Sequence, residues 1–378
     1  MKSCYLDNAA TMPLLPEAKA AMLAVIEANY GNAAALHSAG HAAEIMIAEA
    51  RAHIAELIHA SPEEIIFTSG GSEANNTVME TFRGRPVAVS AIEHPSVLEA
   101  ARARASATQI IPVDRWGFVN LAEVDKIAQN CDLVSVMLAN NELGSIEPIA
   151  KLVECCKKHN VLVHTDATQA LGKVHIDVKA LGVDYMTLSA HKIGGPIGVG
   201  ALYVRKGSRL LPLIYGGHQE QRRRAGTSNI LGIIGFGAAA KWCWDHSSCR
   251  QWEKVAKLRD ELKMRILQTV PHSSCNSPSE QCLPNLLNMS FAAAEGESIQ
   301  LYLDAEGIMV STGSACAAGD IHPSHVLMAT CGDAEVAHSS IRFSLGLDTT
   351  TEDIDRVMQV LPGVIQRLQG ISTIKCEE

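Results

Sequence analysis

The sequence predicts an α/β fold in which helices cover a mostly parallel sheet, and three observations carry that prediction. Short apolar, strand-like runs alternate with helical patterns from residue 65 to residue 204. Two of the runs end beside residues suited to chemistry, Asp166 and Lys192. After about residue 208 the alternation stops, and a smaller α+β segment closes the chain. A chain of 378 residues with 47% hydrophobic and 19% charged residues can bury a large core, which fits a compact enzyme better than a disordered or fibrous chain.

Taken in order, residues 5–13 form a short polar-ended segment that proline stops before a helix from residue 16 to about 27. A second helix is expected over 38–60, where Ile45, Ala48, Ala52, Ala55 and Ile58 recur at helical spacing. A strand at 65–68 then runs into Ser69-Gly70-Gly71-Ser72 and a helix through about residue 81. A strand, glycine turn and helix N-terminus in that order suit a phosphate, because free N–H groups and the helix dipole face the ligand. Further strands are expected at 86–90, 109–113, 133–139, 161–166, 183–188 and 201–204, with helices after Pro95, from Leu121 and from Pro148. A glycine- and arginine-rich loop at 215–227 precedes one long helical stretch from about Ile230 into the 260s.

Asp166 closes a buried strand, and a carboxylate there points into the crevice where open α/β sheets bind ligands. Lys192 lies between a strand and the glycine-rich residues 194–200. A Ser-x-His-Lys string alone is most often a solvated strand end, but Asp166 changes its reading. An acid that keeps a pyridine nitrogen protonated and a lysine that forms an imine are the minimum equipment of a pyridoxal phosphate (PLP) enzyme. His94 follows the strand at 86–90 and reaches the same sheet edge, suited to ring stacking or proton transfer. Cys316 sits in a string of small residues, 311–319, and reads either as an exposed nucleophilic thiol or as a passive loop cysteine. Arg342, among apolar strand residues, calls for a planar carboxylate, internal or from a substrate.

Composition narrows the partners. A net charge of -9 argues against non-specific nucleic-acid binding. Eleven cysteines without a C-x-x-C give no support to zinc or to a disulfide framework. No run of about 18 apolar residues and no signal-peptide pattern is present, so a soluble, cytoplasmic protein without a membrane partner is expected.

As an ordered set these motifs resemble those of cysteine desulfurases of the NifS/IscS type, in the class V aminotransferase branch of the fold type I PLP enzymes. The resemblance runs from Leu6-Asp7-Asn8-Ala9-Ala10-Thr11 to Ile341-Arg342-Phe343-Ser344. It implies a large PLP-binding domain with a mostly parallel, seven-stranded type of sheet over 15–245. A small α+β domain, 1–14 with 246–378, would carry the Cys316 loop and Arg342. It implies that Lys192 holds PLP covalently, Asp166 binds the pyridinium nitrogen, and Gln169 and Asn141 lie near the ring hydroxyl. His94 would stack on the ring and share in proton removal. Gly71, Ser72, Ser189 and His191 would hold the phosphate, with Thr227 reaching it from the other subunit of a homodimer. Arg342 with Asn141 would bind the carboxylate of L-cysteine. Cys316 would take the sulfur as a persulfide, leaving L-alanine, and pass it to a protein acceptor such as an iron–sulfur scaffold or a thiolation protein. Ala33, Ala35, Ile197 and Gln221-Arg222 depart from residues frequent in the family, the last replacing an Arg-Gly pair. The competing readings are another class V PLP enzyme, either an aminotransferase or a selenocysteine lyase, and a non-catalytic protein that binds sulfur-trafficking partners.

Overall fold

A computed structural model of the chain describes residues 3–28, 31–246, 249–312 and 323–372. In chain order its strands are β1 (Cys4–Tyr5), β2 (Ile65–Thr68), β3 (Pro86–Ser90), β4 (Ala107–Ile111), β5 (Leu133–Ser135), β6 (Leu162–Asp166), β7 (Tyr185–Ser189), β8 (Gly200–Val204), β9 (Ser273–Cys275), β10 (Leu286–Phe291), β11 (Ile308–Met309) and β12 (Ser340–Ser344). The helices are α1 (Pro16–Ala28), α2 (Ser38–Leu57), α3 (Gly71–Thr81), α4 (Pro95–Arg104), α5 (Leu121–Ala128), α6 (Ile149–Lys157), α7 (Val178–Leu181), α8 (Ile230–Asp245), α9 (Cys249–Thr269), α10 (Gly296–Ala305), α11 (His325–Cys331), α12 (Ala334–His338) and α13 (Thr351–Ile371).

Seven strands form the main sheet in the order β2-β8-β7-β6-β5-β3-β4. All its pairings are parallel except those of β8, which runs antiparallel to both β2 and β7. Every residue of β7 and β8 is buried, as expected of strands covered on both faces, and apart from Thr187 and Ser189 their sequences carry no small hydroxyl or charged side chain. Parallel β6 and β7 pair Asp166 with Thr187, so Asp166 and the turn after Ser189 emerge at one edge of the sheet.

Helix packing follows the same logic of periodicity. α2 buries Ala43, Ile47, Ala50 and Ile54, one stripe at helical spacing, against α8. Close approach there depends on a missing side chain, since a Cβ on Gly237 would lie 2.5 Å from the Cα of Ala50. A second core gathers Leu6, Trp252, Leu262, Leu287, Phe291, Leu303, Phe343, Val357 and Leu361 around the antiparallel sheet β12-β10-β9. α13 contributes Ile354, Val357, Leu361, Ile365 and Leu368 from one face. The N-terminal segment joins this second core through the parallel β1–β11 pair.

Three expectations from the sequence are corrected. The single helical stretch from Ile230 is two helices, because α8 closes at Asp245 and the His246 N–H turns back to the Trp242 carbonyl at 3.1 Å. The strand expected at 133–139 is regular only to Ser135, although Val136 and Leu138 still bond the carbonyls of His164 and Asp166. The strand expected at 109–113 starts and ends two residues earlier, because Val113 pairs with Val119 across a tight turn capped by the Asp114 carboxylate.

Residues 220–222 are held in the left-handed region, with φ of 46° at Glu220, 57° at Gln221 and 67° at Arg222. Glu220 fixes this conformation: its carboxylate accepts from both Nη atoms of Arg51, at 2.7 and 2.8 Å, and from the Phe67 N–H at 3.0 Å. Left-handed backbone costs an L-residue with a Cβ about 1–2 kcal/mol, of which glycine's greater unfolded freedom offsets part. Arg222→Gly is therefore expected to raise the unfolding free energy by about 0.5–1 kcal/mol, measured by denaturant titration. Unchanged or lower stability would show that this backbone carries no strain.

Candidate active site

A cavity of about 300 Å³ opens at the edge of the sheet where β6 and β7 end. It is lined by eleven of the residues singled out from the sequence: Gly71, Ser72, His94, Asn141, Asp166, Gln169, Ser189, His191, Lys192 and Arg342 on the protein's own strand ends and loops, with Ala9 of the N-terminal motif. One expected residue among those described is not brought there. Thr227 lines a separate cavity of about 140 Å³ with Ser69, Gly198, Glu220 and Arg224. Cys316 lies outside the described residues.

Asp166 is 6% exposed, and its two oxygens are already engaged. Oδ1 accepts from the Thr168 N–H at 2.9 Å, and Oδ2 accepts from Asn75 Nδ2 at 2.8 Å. The same Asn75 amide donates to Ser96 Oγ at 2.9 Å, and Ser96 Oγ lies 2.7 Å from His94 Nδ1. The Ser96 N–H also donates to that Nδ1, at 3.1 Å. Nδ1 therefore acts as an acceptor, and the neutral imidazole carries its proton on Nε2. Burial holds His94 below the ordinary histidine range; Asp166 opposes the shift, while Lys192 and His325 add to it. Asn75 thus couples the carboxylate to the histidine.

Lys192 Nζ donates to the carbonyls of Ala9 and Ala10, each at 2.6 Å. Gln169 Nε2 reaches the Ala9 carbonyl as well, at 2.9 Å. Burial, then Lys192 and Lys173, brings His191 down to about 4, so it is neutral at physiological pH. Arg342 is 4% exposed; Nη2 pairs with Asp7 at 2.8 Å and Nη1 donates to the Asn141 carbonyl at 3.1 Å.

Asn75, Ser96 and Thr168 were missed by reasoning from the sequence. A signal existed for Asn75, which follows Gly71 by four residues and so shares its face of α3. Thr168 could have been found as the N–H two residues beyond Asp166, the usual partner of an aspartate that folds back on its own turn.

The aminotransferase class-V family profile matches residues 4–357. The chain belongs to the aminotransferase class-V family. A cysteine desulfurase IscS of Dictyoglomus turgidum is 43% identical across 100% of this chain and 98% of its own length. One of Methanosarcina thermophila is 40% identical across 100% and 95%. A solved NifS-like protein from Rickettsia africae superposes with a TM-score of 0.90 at 31% identity, covering 97% of this chain and all of its own.

Class V enzymes of this kind depend on PLP, and the cavity fits that cofactor. Four of its lining residues carry a buried polar atom with no partner among the described residues: Asn75 Oδ1, Thr168 Oγ1, Gln169 Oε1 and His191 Nδ1. Buried polar atoms are almost always satisfied, so this cluster marks the place of a polar ligand. Gly71 leaves room beside it, since a Cβ there would come 3.2 Å from Thr168 Oγ1. The donors and acceptors match a ligand with a ring nitrogen, a hydroxyl and a phosphate.

Glu93, next to His94, is fully buried; its Oε1 accepts from Ser90 Oγ at 2.5 Å and from the Met137 N–H at 2.7 Å. Burial raises it from 4.5 to about 8, against those two hydrogen bonds, with Asp166 and Glu147 adding to the rise. The unfolded chain loses this proton near pH 4.5 while the folded protein keeps it to about 8, so this group's contribution to stability falls as pH rises through that window. Glu93→Gln, which mimics the neutral acid, is expected to gain stability relative to the natural protein as pH is raised between those limits. Melts at the two ends of the window test it, and a constant difference would sink the assignment.

Proposed function

We propose that the chain is a PLP-dependent cysteine desulfurase that converts L-cysteine to L-alanine and takes the sulfur onto Cys316 as a persulfide. The observation that carries this reading is the convergence of Lys192, Asp166 and Arg342 on one cavity of about 300 Å³. The residue roles follow the chemistry of each group. Lys192 is the covalent anchor and, once released, the base; its position under the Ala9 and Ala10 carbonyls keeps the amine inside the cavity. Asp166 holds a proton on the pyridine nitrogen, and Asn75 and the Thr168 N–H keep its carboxylate aimed. Gln169 and Asn141 lie beside the ring hydroxyl, and Gly71, Ser72, Ser189 and His191 take the phosphate. Thr227, at the second cavity, serves the site of the other subunit of a homodimer.

When bound, PLP supplies an electron sink for the charge left as the substrate Cα loses its proton. Arg342 holds the substrate carboxylate. Its Nε is buried without a partner among the described residues, so a planar carboxylate can take Nε and one Nη together. Asp7, now on Nη2, must share or yield that position. Lys192 removes the Cα proton, with neutral His94 beside the ring. The Cys316 thiolate then attacks the substrate sulfur: an S–S bond forms, the Cβ–S bond breaks, and its electron pair remains on Cβ. A proton delivered to Cβ and the return of a proton to Cα complete L-alanine, and the persulfide is left on Cys316. We read residues 15–245 as the PLP-binding domain and 1–14 with 246–378 as the small one. The sulfur acceptor is a protein, such as an iron–sulfur scaffold or a thiolation protein, and the enzyme works in the cytoplasm. No helix among the described residues is long and apolar enough to cross a membrane.

Incubation with L-cysteine in the absence of reductant is expected to place a persulfide on Cys316 with one L-alanine for each. Cys316→Ala should lose both products by roughly a thousandfold while still binding cysteine. Alanine release at the natural rate from that variant would refute the nucleophile assignment. A yellow protein that makes neither product but transaminates keto acids would favour the aminotransferase reading. Arg342→Ala should raise KM for cysteine by about tenfold or more.

A further inference from the structure

That mechanism leaves one buried cation without a task. Lys173 is 2% exposed, and its Nζ donates to the Gln169 carbonyl at 3.1 Å and the Lys192 carbonyl at 3.0 Å. It also lies over the Trp252 ring, whose centroid is 5.8 Å away. Among the described residues no carboxylate pairs with it, and an ammonium buried without a counter-ion is costly. Burial and the charge of Lys192 bring Lys173 down to about 7, with Cys243 opposing the shift.

The backbone delivers it deliberately. After Asp166 the chain folds into consecutive turns, in which Leu171 bonds the Ala167 carbonyl and Lys173 and Val174 bond that of Ala170. Gly172, at φ 68°, allows the reversal, and its carbonyl accepts from Trp252 Nε1 at 2.7 Å. The segment that begins with the cofactor's acid therefore ends with an amine on the backbone of the cofactor's lysine. Other carbonyls of this turn are fixed by the N-terminal segment, that of His191 by the Met12 N–H at 2.9 Å and that of Gly194 by the Leu15 N–H at 2.8 Å. That of Lys192 itself is held by Lys173.

We propose that Lys173 is a positioning residue for Lys192, fixing through the Lys192 carbonyl the turn that presents the Lys192 amine to the cavity. The inference deepens the reading of Lys192 as the cofactor-bearing lysine and rests on it. Other ionisable groups face the pair: His191 on the same turn, Cys243 of α8, and His94, Asp166 and Arg342 around the cavity. His191 is neutral, so it contributes no competing positive charge at physiological pH.

The test uses apo-protein and free PLP. Attachment of the aldehyde to Lys192 forms a C=N bond and releases water, and only the neutral amine attacks. Its rate, followed by absorbance from about pH 6 to about pH 10, therefore reports the state of Lys192 without turnover. Lys173→Met, which loses both contacts to the carbonyls, should slow attachment about tenfold at every pH in this range without moving the midpoint of the profile. Lys173→Arg, which keeps N–H donors at that place, should recover most of the natural rate. Natural attachment rates in Lys173→Met would overturn the proposal, as would a rate as slow in Lys173→Arg as in a folded Lys173→Met. If Lys173→Met fails to fold, Lys173→Leu decides in its place. Failure of the natural apo-protein to take up PLP at all would remove the Lys192 reading, and this proposal with it.

Discussion

A lysine amine inside a cavity needs acceptors that do not neutralise it, and here two backbone carbonyls provide them. The contacts of Lys192 with Ala9 and Ala10 join residues more than 180 positions apart. The N-terminal segment that supplies those carbonyls is tied to the second core, where Leu6 is buried and Asn8 Nδ2 donates to the Ser344 carbonyl at 2.9 Å. From there it runs along the lysine's own turn through Met12 and Leu15. The two cores therefore meet at the Lys192 amine. A shift of one against the other changes the surroundings of Lys192, which is how a site built between cores responds to packing far from its chemistry.

The same arrangement limits which groups near the cavity carry charge. Burial keeps His94, His191 and His164 below the ordinary histidine range, so each favours its neutral form. The remaining charges are the Asp166 carboxylate, Lys192 and the Arg342–Asp7 pair. Charges that are few and shielded from water act strongly on one another and on a bound ligand. Neutral histidines also accept and donate at fixed nitrogens, as the Asn75–Ser96–His94 chain does. The site is in this sense prepared before any ligand arrives.

Much of this was legible in the sequence, and the reason is geometric. Asp166 and Lys192 end parallel and neighbouring strands, and strand ends announce themselves through apolar runs that stop at a polar residue. The alternation of strands and helices likewise revealed the main sheet, although not its order or the reversed direction of β8. What stayed hidden acts through the backbone or across the fold. Ala9 and Ala10 have no side chain that could signal a role, and Lys173 looks like any lysine after a glycine until the turn buries it. The break between α8 and α9 was missed because apolar residues continue on both sides of it, so the pattern alone suggests one helix.

Residues 220–222 show how a local departure is absorbed. Where the family often has Arg-Gly, this chain places Gln221-Arg222, yet the backbone still adopts the left-handed conformation that glycine would favour. The fold dictates that conformation because the buried Glu220 carboxylate is already committed to Arg51 and to the Phe67 N–H of β2. Releasing it would strand a guanidinium and a backbone donor, a loss that outweighs the strain of the three left-handed residues. Strain of this kind persists only where its surroundings over-determine it. The loop also leads directly to Arg224, paired with Glu73 of α3 at 2.8 Å, and to Thr227 in the neighbouring cavity. Its shape is thereby tied from both sides to the helix whose N-terminus borders the active site.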